Sequence, residues 1–313
     1  MTDEKKADKN EILAIIIMGG LFVLIQGLSL LLISPFVNAG LQPTFEDENN
    51  LFNIIYIVVI MLVFTALILL IAKFWKKNII QIVILGAIGY TAVYAFFLPL
   101  FSIFLPNIDP MISISLAVIA GFILVFVLLK YPEWYIIDIS GCIVGIAAIV
   151  VFGISLGVFL VIILLIALAI YDAISVYKTK HMIDLADTIM DLKLPVLLVV
   201  PKIRHYSLLK ETKSLKEKLK DDEERDAFFM GLGDIVMPGI LVASVYFNVP
   251  NGLLISLSVI AGTLAGFAVL MTFVIKGKPQ AGLPCLCGGA IAGYLISSYL
   301  LFGELVGLTL PSF

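Results

Sequence analysis

Three aspartates stand inside long apolar segments of this chain: Asp138, Asp172 and Asp234. An aspartate at the centre of a membrane helix costs about 2.5–3.5 kcal/mol on insertion scales, so such residues usually face a cavity and serve a function. Asp172 comes 6 residues before Lys178, and Asp234 comes 8 residues after Asp226. At about 1.5 Å per helical residue, these two carboxylates lie about 9 Å and about 12 Å from the polar segment that separates them.

Two carboxyls at one depth on successive antiparallel spans can face each other and share a water molecule. Such a pair cannot ionise both members cheaply, so it retains one proton. The ionised member takes a proton from water as general base, and the protonated member polarises a scissile carbonyl. The assignment of the two roles belongs to the coupled pair. The pattern therefore predicts an aspartyl protease with Asp172 and Asp234 as catalytic residues.

The residues around the pair fit this chemistry. In Gly231-Leu232-Gly233-Asp234 the glycines leave room for another backbone, and Pro238-Gly239 weakens the helix that follows. We expect Tyr171 to line the same cavity and donate a hydrogen bond. The segment Ala281-Gly282-Leu283-Pro284 begins 3 residues after Lys278. It lies about 5–9 Å deep, where its free backbone groups can bind an extended substrate.

Asp138 lies 6 residues after Pro132, at a similar depth, but without a glycine-rich frame. We expect a structural role for it, or a side chain that snorkels towards the membrane surface. The three cysteines, expected to be small core residues, are Cys142, Cys285 and Cys287. The only histidines, His181 and His205, share one polar segment, and the Cys-x-Cys pair lacks a second ligand pair. We therefore expect neither a metal site nor a cofactor.

Composition places these residues in a membrane protein. The chain is 61% hydrophobic and only 14% charged, whereas soluble domains are about 45–50% apolar and about 25% charged. Apolar runs of about 20 residues lie between the clustered charges and are typical of membrane spans. The net charge of −3 does not indicate a nucleic-acid partner. The expected surroundings are a lipid bilayer.

The apolar runs predict an all-α membrane protein with nine transmembrane helices. The spans cover residues 12–34, 52–72, 78–97, 111–129, 134–152, 155–177, 227–248, 252–275 and 280–302. With this division, all 20 basic residues fall on one side of the membrane. Because basic residues concentrate in cytoplasmic loops, we expect a cytoplasmic N-terminus and an outside C-terminus.

The only long polar segment divides one integral membrane domain into two parts. We expect residues 1–177 to form a six-helix part, residues 178–226 a partly disordered cytoplasmic loop, and residues 227–313 a three-helix part. Within the loop, Ser214–Arg225 is typical of an amphipathic or disordered tether. Leu194–Pro201 is short and β-prone; it predicts either a loop resting on the bilayer surface or a strand that pairs with an unwound substrate.

The motifs resemble those of the presenilin and signal peptide peptidase family of intramembrane aspartyl proteases. Tyr171-Asp172 on one span and Gly231-x-Gly233-Asp234 on the next carry the resemblance. Lys130-Tyr131-Pro132-Glu133-Trp134 is similar to the presenilin KYLPEW run with one residue fewer. The family's Pro-Ala-Leu motif falls on Ala281-Gly282-Leu283, followed by Pro284, and retains only the leucine.

The resemblance implies that Asp172 and Asp234 form the catalytic dyad of an archaeal homologue in the plasma membrane of a prokaryote. It also implies that the substrates are transmembrane helices of single-span membrane proteins whose N-terminus lies outside. Assembly into a homo-oligomer stays open.

Three alternatives use the same residues differently. Buried carboxylates on helices broken by glycine and proline also occur in proton-coupled transporters and ion channels. Against this, the chain shows no inverted repeat and its carboxylates lie near one face. Prepilin-type peptidases also use a GxGD aspartate, but they resemble this chain less because it has no paired CxxC motif. A scaffold without chemistry would tolerate Asp→Asn at both positions.

Overall fold

The computed structural model describes residues 2–74, 77–176, 197–202, 206, 227–275 and 280–309. The regular secondary structure of this part of the chain is helical apart from one two-stranded sheet. The helices are α1 (Thr2–Asn38), α2 (Phe52–Phe74), α3 (Lys77–Thr91), α4 (Leu98–Phe104), α5 (Pro110–Lys130), α6 (Trp134–Ser155), α7 (Val158–Ile174), α8 (Leu232–Asn248), α9 (Leu253–Val274) and α10 (Gly282–Phe302). A π-helical segment, Ala92–Phe97, joins α3 to α4. The strands are β1 (Leu197–Pro201) and β2 (Ala227–Gly231).

Six helical segments in the described part are each long and apolar enough to cross a membrane. They are Asn10–Asn38, Gln81–Phe104, Pro110–Lys130, Trp134–Ser155, Leu253–Val274 and Gly282–Phe302. Shorter apolar helices occupy Phe52–Phe64, Val158–Ile174 and Leu232–Asn248. Each of these segments overlaps a predicted span.

Large apolar side chains cover the outside of the helices. Leu31 of α1 is 71% exposed, Phe122 of α5 is 73% exposed and Leu300 of α10 is 77% exposed. A soluble monomer rarely exposes so much contiguous apolar surface. Lipid chains solvate such side chains, while the helices satisfy their own backbone hydrogen bonds.

Helix α8 lies at the centre of the helices and packs against α1, α6, α7, α9 and α10. Lipid tails are as apolar as leucine, so close contact between helices has to supply the cohesion. At Gly153 of α6, an added Cβ would lie 2.3 Å from the Cβ of Ala243 in α8. The predicted end of a span at residue 152 is therefore wrong. The helix continues to Ser155 because Gly153 is a packing position.

Helices α9 and α10 touch backbone to backbone. A Cβ at Gly262 would lie 2.2 Å from the carbonyl oxygen of Gly289, and one at Gly289 would lie 2.3 Å from that of Gly262. A Cβ at Gly266 would lie 2.2 Å from the carbonyl oxygen of Cys285. Small residues permit this approach. The contact sets the position of the first turns of α10.

Strands β1 and β2 pair antiparallel, from Leu197 opposite Gly231 to Pro201 opposite Ala227. Of the two alternatives for 194–201, the strand is confirmed over 197–201, where its partner is β2. Leu198 is fully buried and Val200 is 2% exposed, so β1 is not a loop lying on the bilayer surface. Residues 194–196 and the predicted tether 214–225 lie outside the described residues.

The prediction of a helix over 227–248 is wrong at its beginning. Residues Ala227–Gly231 form β2, and α8 starts only at Leu232. The backbone groups of β2 find partners in β1, which is remote in sequence, so an apolar run that reads as helix becomes a strand. Asp234 therefore lies in the first turn of α8 and not about 12 Å along a helix.

Candidate active site

Asp172 lies near the C-terminal end of α7, and its side chain is buried, with 8% exposed. Its Oδ2 accepts a hydrogen bond from the backbone N–H of Leu283 at 3.1 Å. The backbone of Gly282 also contacts this carboxyl group. The first N–H groups of a helix have no partner within the helix, so the start of α10 supplies donors that a carboxylate can use.

Asp234 lies in the first turn of α8, directly after the strand that ends at Gly231. Two glycines border its carboxyl group. A Cβ at Gly231 would lie 3.3 Å from Asp234 Oδ2, and a Cβ at Gly282 would lie 3.2 Å from the same atom. Both distances are tighter than ordinary contacts, so neither position accepts a side chain without moving the carboxyl group. The glycine frame predicted around Asp234 thus has a steric basis at Gly231.

The start of α10 brings the two aspartates together. Gly282 borders the carboxyl group of Asp234, while the N–H of the next residue, Leu283, binds Asp172. The two carboxyl groups therefore lie against neighbouring residues at the start of α10. A pair of acids in this arrangement can retain one proton and activate a water molecule.

Other predicted site residues have different surroundings. Leu232 is 9% exposed and packs against α6, where a Cβ at Gly145 would lie 3.2 Å from its Cδ1. Gly233 is exposed, and a Cβ there would meet nothing within 4 Å. The space beside it is open for the approach of another chain. Tyr171 is 63% exposed, so its placement in the cavity and its hydrogen bond stay a prediction.

The 281–284 segment forms the N-terminal end of α10. Ala281 is 2% exposed and has an extended backbone with ψ 124°. Pro284 lies in the first helical turn, where a proline removes no hydrogen bond that the helix needs. Among the described residues no cluster of three or more histidine, cysteine or acidic side chains is placed to hold a metal ion.

Asp138 has a partner that the sequence did not indicate. Its Oδ1 accepts a buried hydrogen bond of 2.8 Å from the backbone N–H of Val199 in β1. The partner is a main-chain group 61 residues away, so no pattern of side-chain types signals it. Only the docking of β1 on α6 creates the contact.

Comparison with known proteins shows the family and the fold to which the chain is similar. Residues 19–303 match the family model described as signal-peptide peptidase, presenilin aspartyl protease. One solved structure of a presenilin family intramembrane aspartate protease, in the P2 space group, is 32% identical, with a TM-score of 0.65 over 90% of this chain and 96% of that one. A second, in the C222 space group, is 32% identical, with a TM-score of 0.67 over 91% of this chain and 99% of that one. A comparison with curated proteins gave no match.

The family model covers most of the chain, and the two solved relatives carry the same fold at 32% identity. The apolar helices and the family together make the chain an integral membrane protein. The chain belongs to the signal-peptide peptidase and presenilin family of aspartyl proteases.

Proposed function

We propose that the chain is a GxGD-type endopeptidase that cleaves peptide bonds within transmembrane helices, with Asp172 and Asp234 as its catalytic dyad. The observation that carries the proposal is the start of α10. There Gly282 borders one carboxyl group and the N–H of Leu283 binds the other. Among the described residues, Asp138 is the remaining aspartate within a membrane helix. Its Oδ1 already accepts a hydrogen bond from the backbone N–H of Val199 in β1.

The reaction follows from two carboxyl groups that share one proton. The ionised aspartate takes a proton from water, and the resulting hydroxide attacks the carbonyl carbon of the substrate. The protonated aspartate gives its proton to the carbonyl oxygen. When the tetrahedral diol collapses, the C–N bond breaks and the proton held by the first aspartate passes to the departing nitrogen. One diol hydroxyl becomes the new carbonyl and returns its proton to the second aspartate. Each carboxyl group is then restored.

A substrate helix has to unwind before this attack, because its peptide groups are already hydrogen-bonded and shielded. We propose that the unwound part extends along the edge of β2 and along 281–284. One edge of β1 pairs with β2, and on the other edge the N–H of Val199 donates to Asp138. We therefore propose β2, and not the 194–201 segment, as the strand that pairs with the substrate. The open space at Gly233 lies at the end of this edge.

We propose nine membrane crossings, with the N-terminus in the cytoplasm and the C-terminus outside. Six long and three shorter apolar helical segments in the described part support the number. The confinement of all 20 basic residues to one side of this arrangement supports the orientation. The site then opens towards the cytoplasm. The proposed substrates are single-span proteins with an outside N-terminus in a prokaryotic plasma membrane, and cleavage restricted to substrates of the opposite orientation would contradict this.

Incubation of the detergent-purified protein with a transmembrane peptide tests the dyad. We expect Asp172→Asn and Asp234→Asn each to reduce the cleavage rate by at least about 10³-fold, because one carboxyl alone cannot supply both base and acid. Asp109→Asn is the matched control. Asp109 caps α5 by accepting a hydrogen bond from Met111 N–H, and asparagine caps equally well.

Peptide cleavage that persists in either dyad variant, with the product bond unchanged, would refute the assignment. Family membership does not favour the transporter alternative. Two results together would support the transporter alternative. The wild type would cleave no peptide, and vesicles containing it would show a proton or ion flux that both dyad variants lose.

A further inference from the structure

A third buried acid lies beside the catalytic machinery without taking part in the chemistry proposed above. Asp138 of α6 is 8% exposed, and its Oδ1 accepts the N–H of Val199 at 2.8 Å. Val199 itself is 2% exposed. A buried N–H without a partner is costly, so this contact satisfies a group that water does not reach.

The contact lies on the outer edge of the sheet. Val199 stands opposite Phe229, with Leu198–Met230 and Val200–Phe228 as the neighbouring pairs. In an antiparallel ladder, pairs that exchange hydrogen bonds alternate with pairs whose polar groups point away from each other. Because the N–H of Val199 reaches Asp138, Val199 and Phe229 form a pair of the second kind. Asp138 therefore caps β1 without competing with the bonds to β2.

The sheet connects this contact to the dyad. Strand β2 ends at Gly231, which is also the residue that precedes the first turn of α8 and borders the Asp234 carboxyl group. Any shift of β1 away from α6 moves β2 with it, since the two strands share their hydrogen bonds. The shift reaches Asp234 within three residues of the end of β2.

A second attachment holds the end of β1. Lys202 forms an ion pair of 2.8 Å with Glu11 of α1, and its ammonium lies 4.3 Å from the ring centre of Phe228. The side chains of Lys202 and Glu11 are 22% and 31% exposed, so solvent weakens this pair. Of these two attachments, the hydrogen bond to Asp138 is the buried one.

We propose that Asp138 is a positioning residue of the protease: its carboxyl group holds the outer edge of β1 against α6 and thereby fixes β2, Gly231 and the catalytic Asp234. The proposal rests on the dyad function proposed above. It depends on the ability of Asp138 to accept a hydrogen bond and not on a negative charge. Asparagine, which keeps one carbonyl oxygen, should therefore replace it, whereas alanine should not.

Hydrogen exchange and cleavage kinetics on the detergent-purified full chain test this together. In Asp138→Ala we expect amide exchange of the segment 197–201 to accelerate about tenfold or more, because the edge of β1 is released. At temperatures well below unfolding, kcat for a transmembrane peptide should fall by about tenfold. Asp138→Asn should recover most of both properties.

Val199→Pro approaches the same contact from the other side. It removes the donor N–H and puts the proline ring where Asp138 lies, while the hydrogen bonds between β1 and β2 need no N–H at this position. We expect it to lower kcat about as much as Asp138→Ala. The two changes combined should lower kcat no further than either alone, because both remove one interaction. Glu11→Gln, the control, should change kcat by less than about twofold.

Three results would overturn the proposal: wild-type exchange at 197–201 in Asp138→Ala, a loss in Asp138→Asn as large as in Asp138→Ala, or full additivity of Asp138→Ala with Val199→Pro. If Asp138→Ala does not fold, the kcat of Val199→Pro decides. Failure of the dyad proposal is separate, because it shows as cleavage by Asp172→Asn or Asp234→Asn. The exchange measurement needs no activity and reports on the contact in either case.

Discussion

At the scale of single residues, Gly282 has the tightest requirement in the site. A Cβ at this position would lie 3.2 Å from Oδ2 of Asp234, and the next residue donates its N–H to Asp172. A side chain here pushes one carboxyl group while the backbone holds the other. The separation of the two carboxyl groups therefore depends on the absence of a Cβ at Gly282.

We expect Gly282→Ala to lower kcat for a transmembrane peptide by about tenfold, because small misplacements of reacting groups are costly to catalysis. KM should change less. Gly288→Ala in the same helix is the matched control, since a Cβ at Gly288 meets nothing within 4 Å. Equal kcat values for the two variants would show that Asp234 moves aside without loss.

At the scale of elements, the position of α10 is set by its contact with α9. Gly262 and Gly289 face each other, and Gly266 faces the backbone at Cys285, only two residues beyond Leu283. Membrane helices gain little from burying apolar surface against each other, so such close contacts hold the pair together. The contact carries the N–H groups of α10 to the dyad.

We expect Gly266→Ala to lower the unfolding temperature in detergent and reduce cleavage, because its Cβ would lie 2.2 Å from the carbonyl oxygen of Cys285. Overpacking of this kind costs about 1–3 kcal/mol. Gly86→Ala in α3 serves as control, since a Cβ there meets nothing within 4 Å. It should stabilise α3 slightly, by about 0.5–1 kcal/mol. A Gly266→Ala protein that unfolds at the wild-type temperature would contradict the packing described for α9 and α10.

At the scale of the whole molecule, the helices present apolar surface outwards and keep the acids near one end. Asp172 lies in the last turns of α7, and Asp234 in the first turn of α8. Both acids therefore lie at the side where α7 ends and α8 begins, and we expect water to reach them from that side. With the proposed orientation, that side is the cytoplasm.

Thiol labelling of intact cells checks the orientation. We expect a cysteine at Glu304, which follows α10 and is exposed, to react with a membrane-impermeant maleimide. A cysteine at Lys130, the exposed last residue of α5, should react only after the membrane is opened. The background for both is a chain in which Cys142, Cys285 and Cys287 are replaced by serine. The reverse labelling pattern would invert the proposed topology.

Much of this protein follows from the amino-acid sequence alone, because a bilayer imposes simple rules on it. Apolar runs locate the helices, and the cost of a carboxylate in lipid singles out Asp138, Asp172 and Asp234. The β-prone run that ends at Pro201 can also be recognised from the sequence as something other than a membrane span, since it is too short to cross a membrane. These features depend on residue types over short distances.

The tertiary structure decided what depends on contacts between distant residues. Residues 227–231 read as the start of a helix but form β2, because β1 supplies their hydrogen bonds. Gly153 falls between two spans predicted from the sequence but lies inside α6, where Ala243 packs against it. The hydrogen-bond partner of Asp138, the N–H of Val199 at 2.8 Å, is visible only in the folded structure. In each case the structure depends on a backbone group or a helix contact that is distant in sequence. The residue types near the position in the sequence do not indicate such a contact.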